Sequence, residues 1–425
     1  MSAQMIVRYW KNFPEQRNSA FYALISILED RDPQIRKVVI REMSHLVKAG
    51  QLVDKIADVL SQMLQQTDES QEITLLTNAL AECLKCHPKE VLSAIFLNII
   101  KSDEESIRIR LLKFINEYLP TIPTSLMNSE LKDEVENYFR KILKDVTALE
   151  FDLIFDVLRS LETYKSVKGR ITLFKIVIDQ IGLDQPFPVD DIQRFDQILY
   201  FVEKAQTLLS QNCRSTGLVD FLVSKGIPRL DETSAALRHR FLRALADMVS
   251  YAKTLDESRI KIILNYFLGL IPLMPSEKEE TSDDCRNDGA EVPQLKLSEL
   301  EAVTIILFVL FKANRSVFDA LQQQTDENIL WRKRVVYLAR LLQQYITVTN
   351  SEINLQRDSD KSDKNHLNFL ENTLSVATNI LKLVKEFLHK NPSFSSMPSK
   401  SWKTTILISS NLQQLVFIRF LLILY

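Results

Sequence analysis

Three segments in the first third of this chain repeat one pattern at a nearly constant spacing. In each segment an apolar helical stretch is followed by a short acidic turn and a second apolar helical stretch. The second stretches begin around Ile35, Ile73 and Ile107, which are 38 and 34 residues apart. Helix pairs that recur with this period are typical of an α-solenoid, because one pair buries its apolar face only against its neighbours. Such folds usually bind other macromolecules along an extended surface.

Glycine is scarce in this chain, with 7 residues in 425, whereas average proteins contain roughly 7%. Tight hairpin turns and phosphate-binding loops use glycine at positive φ, so this scarcity argues against a sheet-rich fold. It also removes most nucleotide sites, and neither G-x-G-x-x-G nor G-x-x-x-x-G-K-[ST] occurs. The repeat and the composition together predict an all-α fold.

The pattern of apolar residues predicts two helical halves. Residues 1–165 form consecutive amphipathic helices, and a second helical half occupies residues 170–403. Two polar stretches, 276–291 and 350–365, are predicted to be solvated loops, the first of them acidic and disordered. The boundary between the two halves is predicted to lie between residues 163 and 190. Two breaks in the helical pattern occur there, and either of them could be the boundary.

The end of the chain, residues 404–425, is an apolar tail. Its uninterrupted apolar run, Leu415–Tyr425, is 11 residues long and contains Arg419, whereas a membrane span needs about 20 apolar residues. We therefore expect a tail that packs on the solenoid, or an aberrant chain end, rather than a membrane anchor.

The sequence contains no constellation that indicates catalysis, a metal or a cofactor. Cys83-Leu-Lys-Cys86-His87 matches the haem-attachment pattern C-x-x-C-H, but Cys83 falls on the apolar face of its predicted helix and no second C-x-x-C exists. Neither H-E-x-x-H nor G-x-S-x-G occurs. We therefore predict no enzyme, no cofactor and no small-molecule substrate.

The charge balance argues against a nucleic-acid-binding protein. The formal net charge is −2, so no global basic excess exists to hold nucleic acid by counterion release. The four cysteines are too few for a disulfide scaffold of this length, which fits a reducing compartment.

A basic cluster runs directly into a leucine motif in the second half. Arg332, Lys333 and Arg334 precede the L-x-x-L-L residues, which are Leu338, Leu341 and Leu342. The leucines could serve as a helix-in-groove ligand, or they could pack in the core of their own domain. The basic residues could meet phosphate or an acidic partner, or they could form the solvated face of the helix.

The order and spacing of several short segments resemble the apoptosis inhibitor 5 family, from Ala3 to about Lys403. The segments that carry the resemblance are Ile6–Pro14, Lys144–Phe151, Leu158–Leu161 with Val167–Arg170, Tyr337–Arg340 with Gln343–Ile346, and Ser401–Lys403. The resemblance implies HEAT-type helix pairs over residues 1–165 and an armadillo-like half over residues 170–403.

The resemblance also implies a non-enzymatic nuclear protein that opposes apoptosis through protein partners. The implied partners are a chromatin-condensation factor of apoptosis, a basic nuclear growth factor and an RNA-export helicase. The alternative is a generic transport or trafficking solenoid that carries protein cargo. The family's basic tail is absent after Lys403, so the cytoplasm stays open as an alternative location.

In the family, the growth-factor site is an acidic face of the HEAT half. The residues of this chain that match it are Glu105, Asp145, Glu150 and Asp179. They are expected to lie on successive helix pairs and to face the same side. Lys144 replaces a neighbouring acid, so we expect weaker binding than is usual in the family.

The leucine heptad of the family is interrupted here. Its four positions are Asn328, Val335, Leu342 and Thr349. A zipper needs apolar residues along its seam, and two of these four are polar. We therefore predict no zipper dimer and expect a monomer.

Overall fold

The computed structural model describes residues 2–274, 294–323, 325–357, 364–389, 392–395 and 400–403. Every regular element in these residues is a helix, so the predicted all-α fold is confirmed. The chain divides into two compact units, residues 1–169 and 170–425. The predicted acidic loop, 276–291, and the apolar tail, 404–425, lie outside the described residues.

The first unit consists of short helices joined by tight turns. Its helices are α1 (Ser2–Arg8), α2 (Arg17–Leu28), α3 (Pro33–Lys48), α4 (Val53–Gln66), α5 (Ser70–Cys86), α6 (Pro88–Lys101), α7 (Glu105–Tyr118), α8 (Ser129–Ile142), α9 (Ala148–Ser160) and α10 (Glu162–Lys165). Helix α11 (Val167–Ile181) crosses the division between the units, which follows Gly169.

The helices of the first unit pack as the repeat predicts. Ile35, Ile73 and Ile107 each lie in the first turn of α3, α5 and α7. Helix α3 packs beside α5, α4 beside α6, and α7 beside α9. This next-but-one packing is how a solenoid buries apolar faces that no single pair can cover.

Aromatic residues join neighbouring pairs in this core. Phe96 on α6 is fully buried and stacks on Tyr138 of α8, with 4.9 Å between the ring centres. The edge of Phe139 meets the same ring at 5.1 Å. Aromatic pairs of this geometry add to the free energy gained from burial alone.

The starts of the helices are marked by side chains that satisfy free backbone N–H groups. The Asp32 carboxylate accepts from Gln34 N at 2.8 Å, with Pro33 as the first residue of α3. At α9, the Thr147 hydroxyl and the Glu150 carboxylate form a reciprocal capping box. The acidic and polar residues between the apolar stretches therefore set where the helices begin.

The second unit contains helices that range from 6 to 32 residues in length. They are α12 (Ile192–Gln206), α13 (Thr216–Phe221), α14 (Ala235–Met248), α15 (Glu257–Leu270), α16 (Leu297–Ala313), α17 (Arg315–Leu321), α18 (Asp326–Arg357) and α19 (Lys364–Leu388).

Helix α16 is the centre of the second unit. Residues 299–308 on it are all buried, and it packs against α14, α15 and α19. A helix that is apolar on nearly every side must be enclosed by other helices or by a membrane. Across the ranges that the structure describes, no helix combines the length and hydropathy required to cross a bilayer.

The predicted polar loop 350–365 is wrong over its first half. Helix α18 continues to Arg357, and α19 begins at Lys364. Ile353 is buried, and Arg357 Nη2 lies 2.6 Å from Glu371 Oε1 on α19. One buried apolar residue and an ion pair between helices therefore extend a helix through a polar sequence that periodicity assigned to a loop.

Three of the heptad positions contribute to the core of the second unit. Val335, Leu342 and Thr349 are buried, and α18 packs along α19. These side chains therefore do not form an exposed seam.

Two glycines of the second unit provide a matched test of this packing. Gly226 ends a π-helical turn, and a Cβ there would lie 2.7 Å from Cζ of Phe241. Phe241 is fully buried against Phe187 and cannot move aside. Gly226→Ala should therefore lower the free energy of unfolding by about 1–3 kcal/mol, measured by urea denaturation.

The control for this prediction is Gly217→Ala. A Cβ at Gly217, which is exposed on α13, meets nothing within 4 Å. Alanine is the better helix former by about 1 kcal/mol, so this variant should be as stable as the wild type or slightly more stable. Equal losses for both variants would contradict the packing described around Phe241.

Candidate functional site

Arginine–glutamate pairs join the starts of alternate helices in the first unit. Arg36, in the first turn of α3, donates from Nε and Nη2 to both carboxylate oxygens of Glu72 on α5, each at 2.8 Å. Arg108, in the first turn of α7, places Nε 2.8 Å from Glu150 Oε1 on α9. This contact is an ion pair without a hydrogen bond between the two atoms. Arg108 donates instead from Nη2 to the Asp145 carbonyl oxygen at 2.7 Å.

Both glutamates are 1% exposed, so the pairs are held away from water. A buried carboxylate is stable only when it is paired and hydrogen-bonded. Each glutamate is also the third residue of its own helix, where the helix dipole favours negative charge. The hydrogen bond from Arg36 lowers the pKa of Glu72 below its ordinary value, against the opposing effect of burial.

A third arginine connects α7 to the turn between α4 and α5. Arg110 Nη2 lies 2.6 Å from Asp68 Oδ1, and Nη1 donates to the Thr67 carbonyl oxygen. Together the three arginines link the turns that precede α3, α5, α7 and α9. These turns therefore lie along one edge of the first unit.

Exposed carboxylates lie along these turns, and we call this surface the acidic edge. Its members are Asp30, Asp32, Asp68, Asp103, Glu104, Glu105 and Asp145. Two of the four predicted binding residues, Glu105 and Asp145, belong to it. Lys144 is also exposed here, beside Asp145.

The assignment of Glu150 to an exposed acidic face is wrong. Its carboxylate is buried, paired with Arg108, and accepts from its own Thr147 N–H at 2.9 Å. Glu150 therefore stabilises the turn that carries part of the acidic edge, but it is not part of the exposed surface. Asp179 is exposed on α11 but belongs to the second unit, so its alignment with the other acids stays a prediction.

The leucine motif of α18 belongs to the core. Leu338, Leu341 and Leu342 are 0%, 4% and 0% exposed, so the helix-in-groove interpretation is wrong for these residues.

The basic cluster before this motif divides between structural and exposed residues. Arg334 donates to the carbonyl oxygens of Leu268 and Ile271 at 3.2 and 2.7 Å, at the end of α15. Arg332 Nη1 lies 3.4 Å from Gln322 Oε1, and both Arg332 and Lys333 are exposed. Of the three basic residues, only Arg332 and Lys333 are therefore exposed to a partner.

The second unit repeats the arginine–glutamate device. Arg238, the fourth residue of α14, places Nε 3.2 Å from Oε1 of Glu299, the third residue of α16. Glu299 is 1% exposed and also accepts from the Tyr266 hydroxyl at 3.1 Å. Burial and this carboxylate raise the pKa of Tyr266.

This device was missed in the sequence, although a signal for it exists. An arginine directly follows the isoleucines of two repeats, as Ile35-Arg36 and Ile107-Arg108. The partner glutamate then sits at the third position of the next-but-one helix. Acidic residues are mostly exposed, so the sequence alone does not indicate that these glutamates are buried.

The C-x-x-C-H segment divides between core and surface. Cys83 is buried as predicted, and burial raises the pKa of its thiol to about 12. Cys86 is exposed at the end of α5. Among the residues that the structure describes, no three His, Cys, Asp or Glu side chains are arranged to hold a metal ion.

The Arg108–Glu150 pair should be worth far more than a surface ion pair. Arg108→Ala leaves a buried carboxylate without its cation and should lower the free energy of unfolding by about 3–5 kcal/mol. Arg140→Ala breaks a pair with Glu136 one turn earlier on the same helix, in which the arginine is 56% and the glutamate 22% exposed, and should cost about 0–1 kcal/mol. Urea denaturation followed by circular dichroism compares the two.

A double variant separates the cost of the orphaned charge from other losses. Arg108→Ala with Glu150→Gln should be more stable than Arg108→Ala alone, because a neutral amide costs less to bury than a carboxylate. An Arg108→Ala variant as stable as Arg140→Ala would show that the pair does not hold the edge together.

The Arg36–Glu72 pair predicts a stability change in acid. The pKa of Glu72 is lowered in the folded state from an ordinary value of 4.5. Its contribution is therefore complete above pH 4.5 and is lost as the pH falls through the folded pKa. The wild type should lose stability more steeply below pH 4.5 than Glu72→Gln, as measured by thermal unfolding. Parallel profiles would contradict the pairing.

The family described as Apoptosis inhibitory protein 5 (API5) matches residues 1–416. Apoptosis inhibitor 5-B of Xenopus laevis is 31% identical over 413 residues, covering 95% of this chain and 77% of the relative. Apoptosis inhibitor 5 of Homo sapiens is 30% identical over the same length, covering 95% and 76%.

A more distant relative carries a closely similar name. The Apoptosis inhibitor 5 homolog of Drosophila melanogaster is 26% identical over 421 residues, covering 95% of this chain and 75% of the relative. The resemblance that the short segments indicated is confirmed. The chain belongs to the apoptosis inhibitor 5 family.

Proposed function

We propose that this protein is a non-enzymatic scaffold that opposes apoptosis by binding protein partners, and that its acidic edge receives a basic protein. The observation that carries the proposal is the acidic edge itself, presented by the linked turns of the first unit. Membership of a family named for inhibition of apoptosis supports the biological role.

The acidic edge combines fixed positions with unpaired charge. The side chains of Glu104, Glu105 and Asp145 are exposed and form no ion pair within the described residues. The nearby guanidinium of Arg108 is directed to the buried Glu150 and to a backbone carbonyl. The negative potential at the turns before α7 and α9 is therefore available to a partner.

Such a surface mainly increases the rate at which a partner associates. Carboxylates of one sign concentrated on one edge attract a basic partner from a distance and accelerate association, with strong salt dependence. Lys144 lies within this field and opposes it. We therefore expect this chain to bind a basic partner more weakly than a protein with an acidic residue in place of Lys144.

The partner classes and the location are part of the same proposal. The resemblance supports a basic nuclear growth factor as the ligand of the edge, with a chromatin-condensation factor of apoptosis and an RNA-export helicase as further partners. It also supports a nuclear location. A protein that inhibits death through such contacts needs no catalytic residues.

The test reverses two exposed charges and leaves the buried pair intact. Glu105→Lys with Asp145→Lys should slow association with a basic nuclear protein roughly tenfold at low salt and flatten its salt dependence. Glu150 is kept, because its reversal would change stability rather than the surface. Surface plasmon resonance at 50 and 150 mM salt measures both effects.

The control makes the same change of charge elsewhere on the same two helices. Glu117 and Asp156 are exposed on α7 and α9, away from the acidic edge. Glu117→Lys with Asp156→Lys should retain most of the binding, and Lys144→Glu should increase it. Equal losses in the two double variants would reduce the effect to net charge and refute the acidic edge.

The same variants test the biological role. In cells depleted of their own family member and given an apoptotic stimulus, the wild type and the control should restore survival. The acidic-edge variant should not. Restoration by all three would separate survival from this surface.

A further inference from the structure

A short segment near the end of the described chain is held on the surface of the second unit by specific polar contacts. Residues 400–403 lie against α14 and α16. The side chain of Lys400 is 10% exposed and Trp402 is 9% exposed. Ser401–Lys403 is also one of the segments that carry the family resemblance, and the proposed function makes no use of it.

Lys400 is bound as a buried ammonium. Its Nζ donates to the Ala246 carbonyl oxygen at 2.9 Å and to Asp247 Oδ1 at 2.6 Å. Both acceptors are on the last turn of α14, where the helix dipole favours a cation. Burial lowers the pKa of Lys400, although Asp247 opposes the effect. The position is therefore shaped for a desolvated lysine.

Ser401 satisfies a carboxylate that water barely reaches. Glu301 on α16 is 1% exposed. Its Oε1 accepts from Ser401 N at 3.2 Å, and its Oε2 accepts from the Ser401 hydroxyl. No lysine or arginine of the described ranges forms an ion pair with it. The cost of burying this carboxylate is therefore offset by donors from the segment.

Trp402 completes the set of contacts. Its indole Nε1 donates to Asp247 Oδ2 at 3.4 Å. The guanidinium carbon of Arg243 lies 5.7 Å from the centre of the ring, within cation–π distance. Lys403 Nζ lies 3.5 Å from Asp247 Oδ1. Asp247 thus contacts Lys400, Trp402 and Lys403, while Glu301 binds Ser401 between them.

The segment does not fill the depression in which it lies. A groove of about 1390 Å³ continues from Ser401 and Trp402 along α12, α14 and α19. Its wall on α19 includes Phe369, which is 64% exposed, and Asn372. A longer peptide could therefore make contacts beyond those of residues 400–403.

We propose that this groove is a peptide-recognition site, which the chain occupies in cis with Lys400-Ser401-Trp402. The same site takes, in trans, a partner peptide with a lysine two residues before a tryptophan and a small hydroxyl residue between them. The specificity comes from Asp247 for the lysine, Glu301 for the backbone N–H and hydroxyl, and Arg243 for the indole.

Occupation in cis makes the site competitive. A tethered segment acts at an effective concentration on the order of millimolar. A peptide in trans therefore binds the wild type only weakly, and binds well once the segment is displaced. The proposal is independent of the acidic edge, which lies in the first unit.

The test uses the full chain and a fluorescent peptide with the sequence of residues 396–405. Lys400→Ala with Trp402→Ala removes the two side chains that anchor the segment and leaves the residues of α14 and α16 unchanged. This variant should bind the peptide at least about tenfold more tightly than the wild type, as measured by fluorescence anisotropy. A peptide with alanine at its own lysine and tryptophan should not bind.

A groove variant and a second way of emptying the site complete the test. Adding Asp247→Asn to the emptied variant should weaken the peptide about tenfold or more, because it removes a charge-assisted hydrogen bond. Ser401→Pro, which removes the N–H donor from the segment alone, should expose the site in the same way. Circular dichroism confirms that helicity is retained.

The overturning results are equally specific. Folded emptied variants that do not bind the peptide would show that the contacts only pack the chain end. Equal binding to the wild type, or binding unaffected by Asp247→Asn, would place the peptide elsewhere. Loss of helicity in Ser401→Pro as well as in the double variant would show that the segment is a structural part of the unit.

Discussion

The arginine that reaches from the start of one helix to a buried glutamate at the start of a later helix is the contact on which this structure depends. It occurs as Arg36–Glu72 and Arg108–Glu150 in the first unit. Apolar burial is non-directional, so it specifies which faces meet more strongly than it specifies the position of each helix along its axis. A buried charge pair fixes that position, because a shift along the axis would leave a carboxylate without its partner and without water. The pairs therefore fix the register of the helix starts.

Register at the helix starts also creates the surface on which the proposed function depends. The starts of α5 and α9 hold Glu72 and Glu150 inward, and the turns before them present Asp68 and Asp145 outward. The start of α7 between them presents Glu105. The buried acids that pair with arginine are thus close in sequence to the exposed acids that are proposed to bind a partner. The groove of the second unit uses the same chemistry, because the buried Glu301 is satisfied by a peptide segment instead of an arginine.

The sequence predicted the features that follow from periodicity and failed where individual contacts decide. The spacing of Ile35, Ile73 and Ile107 is enough to predict paired helices, because burial of a repeating apolar face has one common solution. Whether Glu150 is inside or outside depends on whether Arg108 can reach it, and periodicity carries no such information. Likewise, one buried residue, Ile353, extends α18 through a polar stretch.

Local hydrogen exchange in an Arg108→Ala variant tests the central claim most directly. If the Arg108–Glu150 pair fixes the start of α9, amide protection in residues 143–152 should fall. Protection at the start of α5, held by Arg36 and Glu72, should be unchanged under conditions where the variant stays folded. Unchanged protection at 143–152, or an equal loss throughout the first unit, would contradict the account.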